Sequence, residues 1–385
     1  MSPGALDGVR ILDFTRVLSG PYGTMLLADQ GADVVKVEPP GGDDTRAFGP
    51  PFVGGVSTYF LSINRGKRSV VADLKDPAQR DRVRALALAA DVVVENYRPG
   101  VMTRLGLDAD DLMAENPRLI WCAITGFGRG REGPGYDLII QGMSGIPSIT
   151  GAGDVPWKCG ASIADLVAGM NAAQGITAAL LRRERTGQGS YVDVSMMDGQ
   201  LSLLAYHATA WLNAAQAPRA RGNQHPSIHP FRAYRAADGW LNLAVGNDRL
   251  FAGLCAALEV AWHRDRRFAT NAARVANRAA LDALLEPRIA ARPVAHWIAA
   301  LQPHRVPAGP MASVPDALER ARPVTHDHPT GADPVRTLPP GVRLEGTPWT
   351  AERRAPALGE HTEAVFAEWV GGTPGLASPS RVDTS

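Results

Sequence analysis

Short apolar runs rich in β-branched residues alternate with amphipathic stretches through the first 125 residues, which is the pattern of a parallel sheet covered by helices. Val9 to Phe14, Asp33 to Glu38, Ser69 to Leu74, Asp91 to Glu95 and Leu119 to Thr125 read as successive strands. Tyr22 to Asp29 reads as the first helix and Pro77 to Ala90 as a second, with proline suited to its opening turn. Farther on, Ile163, Leu166, Val167, Met170, Ala173, Ile176 and Leu180 fall on one stripe, predicting a long helix from Ser162 to about Arg185. Arg182, Arg183 and Arg185 suit its negative end, and Gly187 its stop. Tyr191 to Ser195 adds a strand, and Asp198 opens a helix continuing through Tyr206 and Trp211.

The rhythm then changes. Asn213 to Gln224, rich in Ala, Pro, Arg and Gly, reads as a linker, and Phe231 to Tyr234 with Trp240 to Val245 as a β-hairpin turning at Asp238-Gly239. Helices rich in Ala and Arg follow to Gln302. The expected organisation is a large doubly wound, Rossmann-like α/β domain over 1–212, a linker over 213–224 and a smaller α+β domain over 225–302. A Pro- and Gly-rich linker over 303–340 then leads to a C-terminal return to the large domain over 341–385, frayed in its last ten residues. No internal repeat is evident.

Composition narrows the function only by exclusion. Forty basic against thirty-nine acidic residues leave a formal charge of +1, so no global field favours nucleic acid or an anionic membrane. Any anion site must be local. Cys122, Cys159 and Cys255 lie far apart without CxxC spacing, which argues against a disulfide framework or a zinc site. No basic stretch with an apolar core opens the chain, and no run approaches the roughly 20 apolar residues of a membrane span. The cytoplasm is the expected compartment.

Asp165 stands near the start of the long helix, where unpaired N–H groups favour a carboxylate. Taken alone, Ser162-Ile163-Ala164-Asp165 also fits a capping box. Its company changes the weighting: Gly133-Pro134-Gly135-Tyr136-Asp137, then Gln141, Gly142, Gly145, Thr150 and Gly151, then Thr186-Gly187-Gln188-Gly189 and Asp193. These resemble the signature of the family III CoA-transferases, the group of formyl-CoA transferase, carnitine CoA-transferase and the 2-methylacyl-CoA racemases. Asp13 to Pro21, Val35 to Pro39, Asn64 to Ser69, Glu95 to Gly100, and Gly346 to Pro348 with Leu358 to Thr362 are similar to family blocks in the same order.

The resemblance implies that Asp165 is a covalent nucleophile moving coenzyme A from an acyl-CoA to a free carboxylic acid, supported by Tyr136 and Asp137. It implies CoA binding by Arg16, Val17, Leu18, Ala72, Lys75, Asn96, Tyr97, Arg98 and Arg104, no metal, and an interlocked homodimer. In such a dimer the site would lie between the large domain of one subunit and the small domain of its partner. Racemases resemble this segment but carry His before the Asp, whereas Tyr136, with a reference pKa of about 10, is a poor base. The formyl-CoA members carry Gln at the position of Leu18 and a glycine-rich loop where this chain reads His225 to Pro230. Those departures point away from formyl or oxalate substrates, and suggest His225 and His229 as acceptor-pocket residues. A small dicarboxylate is the expected acid. An acyl-CoA racemase and a non-catalytic CoA-binding protein are the competing readings, while the turn at Arg16 to Pro21 lacks the GxGxxG of a dinucleotide site.

Overall fold

The protein is described by a computed structural model over residues 4–345 and 353–371. The expected Gly346 to Pro348 block and the frayed last ten residues lie outside the described residues. The chain divides into two compact units, the first comprising Met1–Ile146, Cys159–Asn213 and Arg322–Ser385, the second Pro147–Lys158 and Ala214–Ala321. Residues 147–158, read from sequence as part of the large domain, thus belong with the second unit, as do residues 303–321, read as linker.

The first unit is built on six parallel strands, β1 (Arg10–Asp13), β2 (Asp33–Glu38), β3 (Lys67–Val71), β4 (Val92–Glu95), β5 (Ile120–Thr125) and β6 (Tyr191–Ser195), in the order β3-β2-β1-β4-β5-β6. This is the expected doubly wound α/β sheet. Alternate side chains feed two cores. Ile11, Val34 and Val92 face one, and their neighbours Leu12, Val35 and Val93 face the other. Burial on both faces is why these strands read as continuous apolar runs. Helix α1 (Ser19–Ala28) follows β1, α2 (Thr58–Ile63) precedes β3, and α3 (Pro77–Ala89) follows it. Helices α4 (Asp137–Ser144) and α5 (Ile163–Thr186) lie between β5 and β6, and α6 (Met196–Ser202) and α7 (Tyr206–Ala214) come after β6.

Helix α5 packs on α1 at backbone distance. A Cβ added at Gly23 would stand 2.7 Å from the Gly169 carbonyl oxygen, and one at Gly169 would stand 2.5 Å from the Ser19 carbonyl oxygen. Only glycine at both positions permits that approach.

The second unit carries a three-stranded antiparallel sheet, in which β7 (Phe231–Arg235) and β8 (Trp240–Ala244) form the expected hairpin and β9 (Ala308–Pro310) adds the third strand. Its core gathers Tyr234, Leu241, Phe251, Leu285 and Trp297. Among the described residues no helix is long and apolar enough to cross a membrane.

Candidate active site

The strand order reverses between β1 and β4, so the loops leaving their carboxyl ends diverge and open a crevice. The loop after β1 is tightly built. Both the Thr15 amide and its hydroxyl donate to Asp13 Oδ1, at 2.8 and 2.5 Å. Val17 takes a left-handed conformation with φ of 64°, strained for a β-branched residue. Asn96, beyond β4, clasps the neighbouring peptide: its Oδ1 accepts from the Arg16 amide and its Nδ2 donates to the Arg16 carbonyl, both at 2.8 Å. From below, Lys36 Nζ donates to the Thr15 carbonyl at 2.6 Å and pairs with Asp43 at 2.8 Å. The Arg16 guanidinium pairs with Asp44 at 2.5 Å.

Above this crevice lies a cavity of about 380 Å³. Its walls include Arg16, Val17, Leu18, Asn96, Tyr97 and Arg98 on one side, and Tyr136, Asp137 and Asp165 on the other. Nine of the expected site residues are therefore brought together. Ala72, Lys75 and Arg104 do not line the cavity: Ala72 is buried, with its amide on the Glu38 carbonyl, and Lys75 and Arg104 are exposed.

Asp165 occupies the first turn of α5. The capping box suggested by sequence does not form, because the Ser162 side chain makes no capping hydrogen bond. Asp137 takes that place from 27 residues upstream, its Oδ1 accepting from the Ala164 amide at 2.9 Å. The Asp165 carboxylate is left facing the cavity with no hydrogen-bond or ion-pair partner among the described residues. Burial, and then the charge of Asp137, push its pKa up to about 7.

That shift has a linkage consequence. The folded chain keeps the Asp165 proton to about pH 7, whereas the unfolded chain releases it near 3.8. Between those values the folded state binds more protons, so ionising Asp165 lowers stability as pH rises. Asp165→Asn is expected to melt above the parent at pH 8, with the gap closing as pH falls towards 4. Differential scanning calorimetry over that range checks it, and equal melting at pH 8 would contradict the burial of this charge.

Tyr136, 66% exposed, stands on the cavity wall. Two features, one on the cavity wall and one near Asp165, escaped the sequence. Arg131 lines the cavity without an ion pair among the described residues, in a loop where arginine reads as ordinary surface charge. Tyr59, on α2, has its phenol pushed up to about 12 by burial and by the charges of Asp165, Asp137 and Asp43, so it stays protonated at neutral pH. Nothing in the spacing of Thr58–Ile63 points to that environment. Gly126 and Gly135 let two backbones pass: a Cβ on Gly135 would lie 3.1 Å from the Gly126 amide nitrogen.

His225 and His229 belong to the second unit. His229 is fully buried, its Nε2 3.3 Å from Asp282, which also accepts from Tyr234 and Arg232 at 2.7 Å. The His225 ring packs near Phe231, with centroids 5.3 Å apart. Among the described residues no three His, Cys, Asp or Glu side chains cluster to hold a metal ion.

Comparison with known proteins identifies the class of molecule that shares this framework. The chain is 42% identical to the succinate–glutarate CoA-transferase of Agrobacterium fabrum, over 94% of its own length and 95% of that protein's. It is also 42% identical to the acetyl-CoA:oxalate CoA-transferase of Acetobacter aceti, over 90% and 88% respectively. Among solved structures, a CAIB/BAIF family protein from Brucella suis superposes with a TM-score of 0.83 at 42% identity, covering 96% of this chain and all of that one. The profile of CoA-transferase family III matches residues 6–362, and the chain belongs to that family.

Proposed function

We propose that the protein transfers coenzyme A between dicarboxylic acids, with Asp165 as the covalent carrier. The observation that carries this is the unpartnered Asp165 carboxylate on the wall of the switch-point cavity. An Asp165 oxygen attacks the thioester carbonyl carbon, the C–S bond breaks, and a mixed anhydride and CoA thiolate result. The thiolate attacks the aspartyl carbonyl of the anhydride, releasing the donor acid and leaving an aspartyl-CoA thioester. The acceptor carboxylate then attacks that thioester, forming a second anhydride and freeing the thiolate again. Attack of the thiolate on the acceptor's acyl carbon yields the new acyl-CoA and regenerates the Asp165 carboxylate.

The nucleophile is the ionised form, so the acylation rate follows its titration. With the group held near 7, single-turnover acylation is expected to rise from pH 6 to pH 8 and then level off. A flat profile across that interval would contradict an ionising Asp165. The turn at Arg16 to Leu18 and the cations Arg98 and Arg131 support CoA or carboxylate binding at the cavity, because anions need local positive charge and backbone donors.

The dicarboxylate assignment draws on the succinate–glutarate and oxalate relatives. The oxalate relative also weakens the objection raised by Leu18 and the His225 to Pro230 loop. His229, with its ring committed to the Asp282 cluster, is assigned no substrate here. Tyr136 in place of the racemases' His supports transfer over α-proton exchange. Exposed apolar side chains on α4 and α7, including Leu138, Met143, Trp211 and Leu212, support burial against a second copy, as an interlocked homodimer requires. The deciding experiment is a matrix of dicarboxylyl-CoA donors against carboxylic acids, in deuterated water, read by mass spectrometry. Transfer without deuterium at the α-carbon is the expected result. Exchange without transfer would establish a racemase instead.

A further inference from the structure

Gln141 lies one helical turn after Asp137 on α4 and is fully buried. Its amide holds three partners: Nε2 donates to Asp137 Oδ2 at 2.8 Å and to the Ala161 carbonyl at 3.3 Å, while Oε1 accepts from the Cys159 amide at 2.9 Å. Asp137 completes the connection, because its other oxygen accepts from the Ala164 amide at 2.9 Å. A continuous path therefore runs from Cys159 through Gln141 and Asp137 to Ala164, the residue before Asp165. Residues 159–164 are thereby registered against α4.

The path is polar in one sense only. The NH₂ end of Gln141 must face the Asp137 carboxylate, since its amide oxygen there would oppose acceptor to acceptor. Gln141 itself does not line the cavity, so it reaches the reaction only through its neighbours. Asp137 also acts on Asp165 electrostatically, second to burial. The groups that interact electrostatically with Asp165 are Asp137 from α4 and the Tyr59 phenol from α2.

We propose that Gln141 is a positioning residue for CoA transfer: by fixing Asp137 across the start of α5, it fixes where the Asp165 carboxylate meets the thioester. This rests on Asp165 being the nucleophile. Displacing a reacting group by about 1 Å can cost about a hundredfold in rate, and the loss falls on kcat because acyl-CoA binding is untouched.

The test uses the full-length enzyme and two variants. Gln141→Glu keeps the size and the acceptor for Cys159, but sets two carboxylates against each other. Its kcat is expected to fall by about a hundredfold, with KM for acyl-CoA within about twofold of the parent. The midpoint of its single-turnover pH profile is expected to move upward, because added negative charge near Asp165 favours its protonated form. The double variant Asp137→Asn with Gln141→Glu reverses donor and acceptor while keeping the bonds to Ala164 and Cys159. It is expected to recover at least about tenfold in kcat over Gln141→Glu. The inference is overturned if Gln141→Glu keeps the parental kcat and pH midpoint, if its loss only tracks a loss of folded protein by circular dichroism, or if the double variant recovers nothing. Hydroxylamine trapping separates the levels: an active Asp165→Ala variant removes the nucleophile reading and this inference with it. Inactive Asp165→Ala alongside fully active Gln141→Glu removes the inference alone.

Discussion

Alanine at Asp165 is expected to lower kcat by about 10⁴-fold or more, the loss that removal of a covalent nucleophile brings, while leaving CoA affinity near its parental value. The carboxylate has no hydrogen-bond partner among the described residues, so its removal breaks no structural contact there. It also removes a half-buried carboxylate whose pKa is pushed up to about 7. The variant should therefore fold, bind CoA by titration calorimetry, and fail to form a hydroxylamine-sensitive adduct. A variant that still transfers CoA within tenfold of the parental rate would remove the covalent mechanism. A parent protein that binds CoA but turns over no donor and acceptor pair would favour the non-catalytic alternative.

The second large effect is on stability. Lys36→Met is expected to lower the unfolding free energy by about 3–5 kcal/mol, because it strands buried carboxylates. Lys36 is 1% exposed and sits against Asp43 and the Thr15 carbonyl. Burial works against its charge, but Asp13, Asp43 and Glu38 outweigh that and raise its pKa above the ordinary lysine range. Lys67, buried beside the same Asp13, behaves in the opposite way. Burial and repulsion from Lys36 bring it down to about 8 despite the pairing. Lys67→Met should therefore destabilise less than Lys36→Met, and urea denaturation of the two variants gives the ranking. Since Lys36 holds the turn carrying Arg16 to Leu18, KM for acyl-CoA should also rise in Lys36→Met. A neutral outcome for both properties would mean that the network is dispensable.

Much of the framework was legible because it rests on local periodicity. Asp33 to Glu38 and Tyr191 to Ser195 are strands with the expected ends, and the long helix runs from Ile163 to Thr186 against an expected Ser162 to Arg185. The first helix begins at Ser19 rather than Tyr22, because Pro21 falls within its opening turn instead of before it. What the sequence could not reveal depends on contacts between distant segments. The Ser162 capping box looked complete over four residues, yet Asp137 supplies the acceptor instead. Helix α4 follows a Gly- and Pro-rich motif and is only eight residues long, too short for its periodicity to stand out. Lys36, Asp43 and Thr15 belong to three separate segments, so their ion network has no sequence signature. Lys75 and Arg104 have the right charge, but charge alone does not say which arginines and lysines reach one hollow.

The paired glycines at 23 and 169 couple two walls of the cavity mechanically. The strand-to-helix corner after β1 and the helix that bears Asp165 meet at residues 23 and 169 with no side chain between them. They can shift only as one beam, so adapting the enzyme to a longer or bulkier acid has to happen on the opposite bank. Mutant libraries aimed at new acids should accordingly spare 19–23 and 165–169 and sample the stretch from Arg129 to Tyr136.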